Sequence, residues 1–240
     1  MGLSKYSTKN KKIQYCFDGI SEQNCRPSNM DSLIILDKTI GSDYLLLAVV
    51  SDGVGSLEKG AFAATALTRG LLGWFSTLDS CKNIVDSLQA EIRSINEEIF
   101  TTSSNQQFES AATVSILLII NDKYYGLNAG DSRIYMMRGG VLTQITEDDV
   151  SETGALTEYI GFEMPPNLNA YRGDTKDSLF LLCSDGLYKH MDYDFWIEQL
   201  AGCTKENLGY CINALVDRAI ELGERDNISA AVIMDCTKGC

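Results

Sequence analysis

The sequence predicts a layered α+β sandwich of mostly antiparallel strands, and three observations carry that reading. Apolar runs of strand length follow one another across short turns, two stretches with apolar residues at helical spacing interrupt them, and two more such stretches precede a final strand. Strand and helix do not alternate as in a doubly wound parallel sheet. A chain of 240 residues with 45% hydrophobic content can fill a sizeable core. No Pro/Ser/Gly linker breaks its middle, so residues 1–240 read as a single domain.

The elements follow in chain order. Residues 13–20 have strand character, "SEQNCRPSNMD" is a loop, and "SLIILD" and "DYLLLAVVSD" form two strands across a turn. A helix is predicted over "SLEKGAFAATALTRGLLGWFSTL"; the "GLLG" inside it has no phosphate-binding context. A second helix over residues 83–100 aligns Ile84, Leu88, Ile92, Ile95 and Ile99 in one apolar stripe, which reads as core. Residues 111–145 read as four strands in a meander, "AATVSILLII", "KYYGLNAG", "SRIYMMR" and "VLTQI". A polar patch and a loop with Pro165 and Pro166 lead to the strand "LFLLCSD", helices over 193–200 and 207–222, and the last strand "ISAAVIMD".

Charge narrows the partners. With 33 acidic and 20 basic residues the formal net charge is -13, which disfavours nucleic acid and anionic membrane surfaces and suits divalent cations. The opening "MGLSKYSTKNKKIQYC" has no apolar signal segment, Gly2 with Ser4 and Lys5 is not a clean myristoylation match, and no run approaches a membrane span. A cytoplasmic location is expected. Eight cysteines without CxxC pairs read as small buried hydrophobes, and the single histidine, His190, excludes His-rich zinc sites. Any metal must then be held by oxygen.

Carboxylates supply that oxygen. Asp52 in "LLLAVVSDGVGS", Asp131 in "AGDSR", Asp185 in "LFLLCSDGLY" and Asp226 in "RDNIS" all stand at the edge of runs that should be buried. Taken singly each also fits a turn, since Asp-Gly and Asp-Asn are common turn dipeptides. Gathered on one rim they would repel one another without cations, and several Asp ligands select hard ions such as Mg²⁺ or Mn²⁺. The glycine after Asp52 lets a backbone carbonyl approach an ion. Arg26 in "CRPSNMD" reads either as a clamp for phosphoryl oxygens or as an ordinary surface arginine.

In order and spacing, "RPSNMD", "SDGVGSLEKGAFAA", "SAATVSILL", "AGDSRIYMMRGGVLTQIT", "ALTEYIG", "LFLLCSDGLY" and "RDNISAAVIMD" resemble the protein phosphatase 2C family, especially its bacterial members. The resemblance spans almost the whole chain. It implies a four-layer α-β-β-α sandwich, two antiparallel sheets flanked by helix pairs, with a cleft holding two Mn²⁺ or Mg²⁺ ions. By position, Asp52 is implied to bridge both ions. Asp185 and Asp226 complete the ligands of the first, and the Gly53 carbonyl binds the second. Asp131 with Asp185 matches a weaker third site. Arg26 matches the phosphate clamp, and Asp31 and Thr113 match residues that orient water around the ions.

The implied reaction is metal-dependent hydrolysis of phosphoserine or phosphothreonine in proteins, by in-line attack of activated water and without a phosphoenzyme. A cognate Ser/Thr kinase would supply the substrate. Two other classes stay open: a silent regulatory module that binds phosphoproteins or a kinase, and a hydrolase of small phosphorylated metabolites. Retention of Arg26, Asp52, Asp185 and Asp226 favours the active phosphatase.

The chain departs from the family pattern at several positions. Met30 stands where an acidic residue is usual, Ser56 and Ala111 replace glycines, Val54 and Asp149 replace histidines, and a short link replaces the long flap between "ITEDD" and "ALTEYIG". The short link predicts a more open cleft.

Overall fold

The computed structural model describes residues 14–237 except Ser56 and Glu58; the readings at Gly2, Ser4, Lys5, Ile13 and Ser56 lie outside the described residues. The strands are β1 (Tyr15–Glu22), β2 (Ser32–Ile40), β3 (Asp43–Ser51), β4 (Val114–Ile120), β5 (Lys123–Ala129), β6 (Arg133–Arg138), β7 (Val141–Gln144), β8 (Asn169–Asp174), β9 (Ser178–Cys183) and β10 (Ile228–Asp235). The helices are α1 (Gly60–Thr77), α2 (Ile84–Gln106), α3 (Asp185–Tyr188), α4 (Tyr193–Ala201) and α5 (Leu208–Glu221).

Two five-stranded sheets form, in the orders β1-β10-β9-β6-β7 and β2-β3-β4-β5-β8, and every ladder is antiparallel. The alternation of side chains along each central strand builds the layers. Leu45, Leu47 and Val49 of β3 face α1 and α2, while Leu46, Ala48 and Val50 face the other sheet. On β9, Leu179, Leu181 and Cys183 meet α4 and α5, while Phe180 and Leu182 point between the sheets. Strands buried on both faces explain why these runs are continuously apolar. The predicted α2 stripe of Ile84, Leu88, Ile92, Ile95 and Ile99 is buried against α1. Gly70 permits that approach, because a Cβ there would lie 2.6 Å from the Ile95 side chain.

Two expectations are corrected. The four central strands are not one meander: β4 and β5 belong to one sheet, β6 and β7 to the other. The crossing runs through Gly130, at φ +101°, where a Cβ would lie 2.8 Å from the Thr113 side chain. Hydrophobic alternation reports which face of a strand is buried, not which of two stacked sheets it joins. The predicted Pro loop also contains an extra strand, β8, an edge strand of mixed burial whose Gly173 and Asp174 weaken its signal. Among the cysteines, Cys183, Cys211 and Cys236 are buried, whereas Cys25 is exposed. Among the described residues no helix is long and apolar enough to cross a membrane.

Candidate active site

Both sheets contribute strand ends to one edge of the sandwich. Asp52 follows the last residue of β3, Asp31 precedes β2, Thr113 precedes β4, Asp185 follows β9 by two positions and Asp226 precedes β10 by two. Asp131 lies on the crossing between the sheets. Together with Arg26, Met30, Gly53 and Thr113, Asp52, Asp131, Asp185 and Asp226 line a cleft of about 430 Å³. Every residue singled out as a ligand or clamp therefore reaches the same cavity, and Asp31 stands just behind it.

The carboxylates perturb one another. Burial, then the charges of Asp31, Asp185, Asp131 and Asp226, push Asp52 well above the ordinary carboxylate range. Burial raises Asp31 to about 6 against the opposing hydrogen bonds it accepts, and burial with the Asp185 charge raises Asp131 to about 6. Asp226 moves the other way: burial works upward, but the Arg26 guanidinium, the Asn227 amide and Lys189 bring it below its usual value. Arg26 grips Asp226 through Nε at 2.8 Å and Nη2 at 2.7 Å. Lys189, four residues after Asp185, donates to it at 2.5 Å and lies 4.0 Å from Asp226. Among the described residues no three His, Cys, Asp or Glu side chains stand close enough together to form a ready ion cage, and Arg26 and Lys189 are paired with Asp226 and Asp185.

The donor set nonetheless fits hard divalent ions. All of its donors are oxygen, and Asp31 Oδ1 is a buried oxygen with no hydrogen-bond partner. Gly53 is required by space, because a Cβ there would lie 2.6 Å from the Gly60 carbonyl and 2.7 Å from that of Met30. Gly53 donates its N–H to the Met30 carbonyl at 3.2 Å, which ties the Asp52 corner to the Arg26 loop.

A layer of small polar groups holds these carboxylates from behind. The Thr113 hydroxyl accepts the Asp52 N–H at 2.9 Å and pairs with the Ser132 hydroxyl at 2.7 Å, so it anchors the Asp52 backbone. Ser184 Oγ donates to Asp31 at 2.8 Å and accepts the Ser229 N–H at 2.9 Å. Asn227 accepts the Met30 N–H at 2.9 Å and donates to the Gln23 and Ser28 carbonyls at 2.8 and 3.1 Å, latching the Arg26 loop onto β10. Glu224 accepts the N–H groups of Arg225 and Asp226, each at 2.7 Å, and its other oxygen lies 3.8 Å from His190 Nε2. Sequence reasoning missed Lys189, Ser184, Asn227 and Glu224. The first three adjoin the motifs already singled out, in "CSDGLYKH" and "RDNIS", and that adjacency was the available signal.

A protein-family profile described as "Protein phosphatase 2C" matches residues 29–210. The chain belongs to the protein phosphatase 2C family. Among curated proteins, the serine/threonine phosphatase stp of Listeria monocytogenes is 27% identical over 213 residues, covering 78% of this chain and 83% of that protein. Among solved structures, the S. agalactiae serine/threonine phosphatase superposes with a TM-score of 0.81 at 20% identity, over 92% of this chain and 100% of that one. The catalytic domain of the serine threonine protein phosphatase PstP, solved in complex with two manganese ions, gives a TM-score of 0.76 at 23% identity, over 92% of this chain and 98% of that one. These two likenesses show the fold, and they bear out two antiparallel sheets flanked by helix pairs.

The short link of this chain forms part of the cleft rim. Val150 and Leu156 form an isolated bridge, the Ser151 N–H donates to the Ala155 carbonyl at 2.8 Å, and Leu156 reaches the cleft. Asp149 secures the link to the crossing: its carboxylate accepts from the Gly130 N–H at 3.1 Å and from Asn169 at 3.0 Å. Val54 adds an apolar wall beside Asp52.

Proposed function

We propose that this chain is a metal-dependent protein serine/threonine phosphatase that hydrolyses phosphoserine and phosphothreonine in proteins phosphorylated by a Ser/Thr kinase. The observation that carries this reading is the convergence of Asp52, Asp131, Asp185 and Asp226 with Arg26 on one cleft of a protein phosphatase 2C fold. Asp52, Asp185, Asp226 and the Gly53 carbonyl would hold two Mn²⁺ or Mg²⁺ ions, with Asp131 and Asp185 at a weaker third position. The ions supply electrostatic stabilisation at phosphorus and a water of lowered pKa for in-line attack.

The chain's own groups do the rest. Arg26, with a half-exposed side chain, is free to leave Asp226 and grip two phosphoryl oxygens through its planar fork. Thr113 and Ser132 keep the Asp52 main chain in place, and Asp31 offers its unpaired oxygen to water at the back of the cleft. Release of phosphate from p-nitrophenyl phosphate and from a phosphothreonine peptide is expected to require Mn²⁺, to stop with chelator, and to be absent in Asp185→Asn. Turnover that ignores chelator, or that survives in Asp185→Asn, would sink the reading.

Lys189 sets a second expectation. Because its ammonium lies on Asp185, an incoming ion must displace it. Lys189→Gln is therefore expected to bind Mn²⁺ about twofold to fivefold more tightly in calorimetry, the scale of one partly exposed ion pair. Equal or weaker binding would mean that Lys189 does not oppose the ion.

A further inference from the structure

A second pocket of about 360 Å³ adjoins the cleft and shares Val54 and Leu156 with it. Its remaining wall comes from Leu57, Ala111, Gly154, Ala155, Tyr159 and Phe162, and among the described residues no charged side chain lines it. Phe162 is 46% exposed and nearby Met164 is 77% exposed, a concentration of large apolar groups that soluble surfaces normally avoid unless they bind something.

The pocket is built before anything enters it. Tyr159 and Phe162 pack edge to face with centroids 5.0 Å apart. The segment carrying them is locked to the core: the Ala112 N–H meets the Ile160 carbonyl at 3.1 Å, and the Ile160 N–H meets the Ala112 carbonyl at 2.9 Å. Buried Asn96 accepts the Gly161 N–H at 2.8 Å and donates to the Phe162 carbonyl at 2.8 Å. Gly161, at φ +108°, permits this contact, since a Cβ there would lie 2.2 Å from the Ser110 carbonyl. On the opposite side the link turns tightly, with the Gly154 N–H on the Ser151 carbonyl at 2.9 Å and the Thr157 N–H on the Asp149 carbonyl at 2.8 Å. A rigid apolar hollow loses little entropy on receiving a side chain.

We propose that this pocket receives a bulky apolar side chain of the substrate, close in sequence to the phosphorylated residue. The proposal rests on the phosphatase reading above. A peptide whose phosphoryl group lies in the cleft must leave it over the rim, and extended backbone sends neighbouring side chains about 3.3 Å apart to opposite faces, so one nearby residue falls toward Val54 and Leu156. The exposed Glu152 and Glu163 flank the pocket-forming segments, so the same peptide should carry basic residues further out.

The test compares p-nitrophenyl phosphate with paired phosphothreonine peptides that differ only in carrying leucine or serine at the neighbouring positions. Expected is a kcat/KM at least about tenfold higher for the leucine peptide, the scale of one buried apolar side chain. Ala155→Trp, which fills the pocket, and Phe162→Ala, which opens its wall, should both erase that ratio and leave aryl phosphate turnover unchanged. Equal rates for the two peptides with normal aryl phosphate turnover would overturn the pocket alone. A leucine preference that survives Ala155→Trp would also overturn it. Absence of aryl phosphate turnover would overturn the phosphatase reading and this proposal with it. A dimer in sedimentation that Ala155→Trp dissolves would assign the pocket to a second copy of the chain instead.

Discussion

Asp52→Asn is expected to lower kcat/KM for an aryl phosphate by on the order of 10³-fold, about 4 kcal/mol of transition-state stabilisation, while leaving the fold intact. The side chain keeps its shape but loses the charge at the centre of the carboxylate cluster, where Asp31, Asp131, Asp185 and Asp226 all act on it. Removing that charge relieves repulsion, so in chelator the variant should be more stable than the wild-type protein near neutral pH. The pH dependence has a defined sign. Asp31 and Asp131 are raised to about 6 in the folded chain, above the roughly 3.9 of an unfolded aspartate. Between those values the folded chain binds more protons than the unfolded one, so stability falls as pH rises through the window. Asp226, held below its usual value, acts in the opposite sense and only at lower pH. Thermal melts of the chelated wild-type protein should lose stability between about pH 4 and pH 6, and Asp52→Asn should show a shallower loss. Unchanged turnover would remove Asp52 from the site, and parallel melting profiles would remove the repulsion.

Much of this was legible because the site sits where core strands end. A run such as Leu45 to Val50, fully buried, demands a strand covered on both faces, and a carboxylate at its end demands a partner. That argument reaches Asp52 and Asp185 from sequence alone. What stayed hidden depends on relations between distant segments. The split of β4–β5 from β6–β7 turns on one crossing at Gly130, and nothing local distinguishes a hairpin from a change of sheet. Ser184 and Asn227 look like ordinary polar neighbours until the 23–31 loop folds back onto β10 and gives them Asp31 and Met30 as partners. The short link was legible as a polar segment, but the apolar pocket it forms with residues 159–162 was not. Its walls come together through Asn96 on α2 and the main-chain pairing of Ala112 with Ile160.

Gly186→Ala should be strongly damaging, and Gly73→Ala should do the reverse. Gly186 is the second residue of α3, directly after Asp185, and a Cβ there would lie 2.1 Å from the Asn227 carbonyl and 3.3 Å from the Ile228 side chain. Neither neighbour is a flexible side-chain tip. The carbonyl is main chain at the entrance to β10, where Asn227 already bonds Met30, Gln23 and Ser28. One added methyl must push the Asp185 corner away from the Asp226 corner, so it separates two proposed ligands while opening the core at fully buried Ile228. A loss of about 2–4 kcal/mol is expected in denaturant melts, with turnover falling further than the unfolded fraction explains. Gly73 lies on the exposed face of α1 with nothing within 4 Å of a built Cβ. Alanine there should add about 0.5–1 kcal/mol by lowering the entropy of the unfolded chain, with turnover unchanged. If both variants melted alike, contact with Asn227 would not be what requires glycine at 186. If Gly186→Ala melted early but kept its turnover in proportion to folded protein, the corner would serve stability and not the spacing of Asp185 and Asp226.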